Sequence, residues 1–94
     1  MAERSYEAYL ETPARRVYDA LTDEQKRVIE RLVSYIELDP HPDGRVKVVV
    51  NMPPVVFTVY THPNWWTAYT IPQPGRVGIA AIAPSYPPPR WAPR

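Results

Sequence analysis

The most regular pattern along the chain is helical. Val28, Ile29, Leu32, Val33 and Ile36 recur at three- and four-residue spacing, with Lys26, Arg27, Glu30, Arg31, Ser34 and Glu37 between them, which predicts a helix with one apolar stripe. Thr22 followed three residues later by Gln25 has the form of a capping box, and Asp23 and Glu24 suit the positive end of the helix dipole. A shorter stripe comes first. Ala14, Val17, Tyr18 and Leu21 share a face, and Thr12-Pro13 opens that helix, with Thr12 as N-cap and Pro13 at the first helical position. The break at Leu21-Thr22-Asp23 folds the two into a hairpin. Upstream, Tyr6, Ala8 and Leu10 alternate with Ser5, Glu7 and Tyr9, a period of two that predicts a strand of about five residues.

After Leu38 the period changes. Asp39-Pro40-His41-Pro42-Asp43-Gly44 cannot be helical, because each proline holds its predecessor extended and Asp-Gly favours a turn. Val46, Val48 and Val50 alternate with Lys47, Val49 and Asn51, so residues 46–51 read as a strand ended by Pro53-Pro54. Residues 55–60, 65–71 and 77–83 read as three more, separated by Thr61-His62-Pro63-Asn64 and Pro72-Gln73-Pro74-Gly75. Turns this short imply an antiparallel meander. The predicted architecture is α+β: residues 1–83 form one domain, with a short N-terminal strand and a two-helix hairpin packed on a four-stranded antiparallel meander sheet. Residues 84–94 form a proline-rich extended tail, with Pro87-Pro88-Pro89 in a polyproline conformation and Trp91 expected to pack back on the sheet.

Ninety-four residues suffice for one modest core. No cysteine is present, so disulfides and thiolate chemistry are excluded. The charged start MAERSYEAYLE lacks the apolar run of a signal peptide, and no stretch approaches a membrane span, so a cytoplasmic protein without membrane association is expected. The net charge of +1 conceals an asymmetry. Up to Asp43 there are six Lys/Arg against ten Asp/Glu, a balance of −4; from Gly44 onward there are five Arg/Lys and no acid, a balance of +5. The second half is therefore the one suited to an anionic partner.

Little other chemistry is spelled out. His41 and His62 are the only histidines, each beside proline in a turn, and no ligand cluster joins them, so no metal or cofactor is expected. Gly44, Gly75 and Gly78 make no phosphate loop, and Ser34 and Ser85 sit in no nucleophile motif. Trp65 and Trp66 must point to opposite faces of one strand, one into the core and one onto the open face near Tyr60 or Phe57, where aromatics stack bases or fill a partner interface. Trp65, Trp66, Tyr69 and Trp91 are the candidate interface residues.

The order strand, two helices, four strands, with these loops, resembles the RelE/ParE toxin superfamily of bacterial toxin–antitoxin modules over about residues 6–83. Asp39-Pro40 matches the loop that ends the family's second helix, Asn51-Met52-Pro53 sits where a Gly-Met-Pro-like turn is common, and Trp65-Trp66-Thr67-Ala68-Tyr69 occupies the position of a Tyr-Arg-x-x-Tyr strand. The resemblance implies a cytoplasmic type II toxin neutralised by a cognate antitoxin and directed at ribosome-bound RNA, or at a protein such as gyrase. RNA-cutting members use basic residues on the cleaved phosphate and a Tyr, Lys or His for proton transfer. Here Trp66 replaces the strand Arg, and Pro84 or Ser85 replaces the basic residue after the last strand. Arg45, Lys47, Arg76, Arg90 and Arg94 remain as phosphate contacts, and His62 and Tyr86 as acid–base candidates. The pattern implies at most weak ribosome-dependent mRNA cleavage. A non-catalytic binding or scaffolding protein on the same fold, using the aromatic sheet face and the proline-rich tail, is the second expectation.

Overall fold

The computed structural model describes residues 6–85. The element order is β1 (Glu7–Leu10), α1 (Thr12–Asp19), α2 (Asp23–Leu38), β2 (Lys47–Met52), β3 (Val55–His62), β4 (Trp65–Gln73) and β5 (Arg76–Pro84). The strands form one sheet in the order β1-β5-β4-β3-β2. β2 to β5 are the antiparallel meander that the short turns predict. β1 joins the same sheet parallel to β5, from Glu7↔Arg76 to Leu10↔Ile79. The fold is therefore α+β with two helices and a mixed five-stranded sheet, one strand more than the predicted meander.

The capping box forms: the Gln25 N–H donates to Thr22 Oγ1 at 3.2 Å and the Thr22 N–H to Gln25 Oε1 at 2.9 Å. At α1 the cap falls one residue earlier than predicted. Glu11 is the N-cap, without a side-chain cap bond, and Thr12 is already helical. The cause is the sheet, since the Glu11 N–H donates to Ile79 O at 2.9 Å and holds Glu11 extended beside β5.

Both apolar stripes meet the sheet. Ala14, Ile29, Leu32 and Ile36 from the helices and Trp65, Tyr69, Val77, Ile79 and Ile82 from the strands form the buried cluster. The ladder shifts register between Ala68 and Tyr69 and again between Thr70 and Gln73. Pro72 lies in that second gap, which lets β4 run on to Gln73 although proline has no N–H to give. The predicted strand end at Ile71 is therefore two residues short.

Candidate functional site

Lys47 was expected to offer its charge to phosphate. The structure turns it to the helix side instead. Lys47 is 5 % exposed and points toward α2, where its ammonium sits 4.6 Å from the Tyr35 ring centroid and donates to Asp39 O. Tyr35 in turn stacks on Tyr60 at 5.2 Å. The loop before β2 sets this register. Asp43 Oδ1 accepts from the backbone N–H of Arg45 at 2.7 Å and of Val46 and Lys47 at 3.1 Å. Those three donors hold the Asp43 carboxyl below the usual carboxylate range, the Arg45 N–H contributing most. Asp39 is likewise lowered, chiefly by the backbone N–H and then the ring of His41.

Arg45 and Arg76 are exposed, but the sheet keeps them apart. Lys47 pairs with Tyr60, so Arg45, in the loop just before β2, and His62, the last residue of β3, belong to the same end of the sheet. Arg76 pairs with Gln73 at the other end of β4. Nine residues separate those ends inclusive, roughly 26 Å of strand, and two further strands lie between β5 and β2. Arg76 also lies over the Tyr9 ring at 5.0 Å. The His62 ring is held in its own turn, Nδ1 accepting from the Asn64 N–H at 3.2 Å. Among the described residues, then, His62, Arg45 and Lys47 belong to one end of the sheet, where Lys47 is buried against Tyr35, and Arg76 stands at the other. Tyr86, Arg90, Trp91 and Arg94, with the polyproline stretch, lie outside the described residues.

The aromatic candidates divide. Trp65 and Tyr69 belong to the core, not to an interface. Tyr69 is 0 % exposed, its hydroxyl donates to Pro40 O at 2.7 Å, and burial pushes its phenol far up. Trp66 faces the opposite side, opposite Thr61 and Ala83. Tyr60, expected beside it, is on the helix side against Tyr35. On the face away from the helices a trough of about 300 Å³ is lined by Met52, Phe57, Val59, Ala68, Ala80 and Ala81, with Pro13 and the Glu11 side chain at its rim. Glu11 reaches that face because Gly78 has no side chain: a Cβ there would stand 2.6 Å from Glu11 Oε2 and 3.0 Å from the Tyr9 hydroxyl. A second cavity, of about 450 Å³, lies between β1 and the helices beside Arg15, Tyr18 and Glu30. There the Tyr18 hydroxyl donates to Glu30 Oε2 at 2.6 Å, a bond that raises the Tyr18 pKa and removes it further from proton transfer at neutral pH.

Sequence reasoning missed Tyr9, Glu11 and Gly78 as a unit, because β1 meets β5 only through long-range parallel pairing. It missed Tyr35 because the tyrosine falls outside the α2 stripe; a lysine within a run of valines was the available signal. Among the described residues no three His, Cys, Asp or Glu side chains come together as a metal would require. No described helix is long and apolar enough to cross a membrane. The chain matches no protein-family model and no curated protein sequence.

Proposed function

We propose that this chain is a non-nucleolytic, cytoplasmic protein of RelE/ParE-like fold that acts by binding another protein. The element order, with Asp39-Pro40 closing α2 and Asn51-Met52-Pro53 closing β2, supports the likeness. The observation that carries the function is the dispersal of the cations among the described residues of the acid-free half. Lys47 is buried against Tyr35, while Arg45 and Arg76 sit at opposite ends of the sheet. Phosphate-transfer chemistry needs cations converging on one oxygen cluster, and the described acid-free strands supply no such point. They supply an apolar trough whose floor is Phe57, Val59, Ala68 and Ala81, the character of a surface that receives apolar side chains of a partner.

RNA affinity measured against salt tests this. Each phosphate contact adds roughly 0.7 to the log–log slope for single strands. Binding by this chain should be weak, with a slope that Arg45→Gln and Arg76→Gln together barely change. A steep slope that falls stepwise with each substitution would overturn the proposal.

A further inference from the structure

Among the described residues, β2 is an edge strand without the usual defences. Natural edges carry outward lysines, prolines, bulges or a covering element. Here the ladder runs from Lys47↔Tyr60 to Met52↔Val55 without a register shift, the one lysine is turned inward, and no charged residue occurs from Val48 to Val56. The side chains of this ribbon stand in solvent: Val49 is 52 % exposed, Val56 56 %, Met52 41 % and Val55 40 %.

Backbone accounting narrows where a partner fits. The Thr61 N–H donates to Val46 O at 2.7 Å, so Val46, Val48, Val50 and Met52 direct their backbone groups at β3. Lys47, Val49 and Asn51 direct theirs outward. The Lys47 N–H is taken by Asp43 Oδ1, and Lys47 O accepts from the N–H of Asp43 at 3.0 Å and of Gly44 at 3.1 Å. The Asp43 loop thus closes the first position of the edge and leaves Val49 and Asn51 open.

We infer that β2 is the contact surface for a second copy of this chain, paired antiparallel about a two-fold axis through Val50. Val49 then faces Asn51 of the second copy and Asn51 faces its Val49, forming four backbone hydrogen bonds and one continuous ten-stranded sheet. The segment is its own complement, because the two open residues flank Val50 symmetrically; this is the requirement of an isologous interface. The uncharged ribbon selects no oppositely charged partner, and self-pairing buries Val49 and Met52 of both copies at once. The two helix layers lie on the same side, and the two troughs share the other.

Sedimentation of the full chain across a concentration series tests this, together with amide hydrogen exchange. The wild type should dimerise reversibly, and the Val49 and Asn51 amides should gain protection as the dimer forms. Val49→Lys, whose side chain stands in water in the single chain, should weaken the dimer by more than an order of magnitude and leave the circular dichroism unchanged. Asn51→Pro, which removes an outward N–H, should do the same. A wild type that stays monomeric at sub-millimolar concentration, or a dimer that survives both substitutions with the two amides unprotected, would overturn the inference.

Discussion

The Lys47 ammonium lies 4.6 Å from the centre of the Tyr35 ring and donates to the Asp39 carbonyl, tying β2 to the C-terminal end of α2. A desolvated cation–π contact contributes up to about 2 kcal/mol and a hydrogen bond from a charged donor about 1.5–3. Lys47→Gln is therefore expected to lower stability in urea by roughly 1–3 kcal/mol, discounted for the desolvation of the charge that the substitution relieves. RNA affinity should not change. Loss of RNA binding at wild-type stability would instead make Lys47 a phosphate ligand.

Tyr69→Phe isolates one hydrogen bond. Its hydroxyl holds the carbonyl of Pro40, and both residues are buried. Without the hydroxyl the carbonyl is left buried and unsatisfied, at a cost of about 1–3 kcal/mol. Chemical denaturation should show that loss. An unchanged midpoint would mean that the Asp39-Pro40 loop is not anchored through Tyr69.

Leu32 is 2 % exposed at the centre of the α2 stripe. Leu32→Ala should cost roughly 2–5 kcal/mol, since the surrounding core can only partly close the cavity. A variant that melts with the wild type would place Leu32 outside the core.

Asp43 gives the fold an acid-sensitive loop. Its carboxyl is held low by the N–H groups of Arg45, Lys47 and Val46, so its ionised form is favoured in the folded state. That stabilisation is fully present above the unfolded carboxylate pKa, near pH 4, and is lost as pH falls through the lower folded value. Asp43→Asn should flatten the fall in melting temperature below about pH 4, leaving the part due to Asp39. An acid limb equally steep in both proteins would remove Asp43 from the account.

How much could be read from sequence follows the range of each contact. The α2 stripe and the Thr22–Gln25 box are local signals, and both formed as predicted. The meander followed from turn chemistry within a few residues. The face of β2 did not, because Val48, Val49 and Val50 satisfy a period of two in either phase. The phase is decided by the three N–H groups converging on Asp43 and by Tyr35 on another element. Tyr69 read as a surface aromatic because its partner, Pro40, is 29 residues away. The parallel seating of β1 on β5 spans almost the whole domain, beyond any periodicity argument. The candidate site suffered most: residue types were legible, whereas the convergence that chemistry requires depends on register.

The proposed non-nucleolytic role on a RelE/ParE-like fold meets its most direct test inside translating cells. The chain would be expressed alone, without any neighbouring gene, and mRNA 5′ ends mapped at codon resolution. The dispersed cations predict no new ends over an empty-vector control, whether or not growth slows. Discrete cuts within translated codons, abolished by His62→Ala or by Arg45→Gln, would contradict the account and make the end of the sheet that holds those two residues an active site.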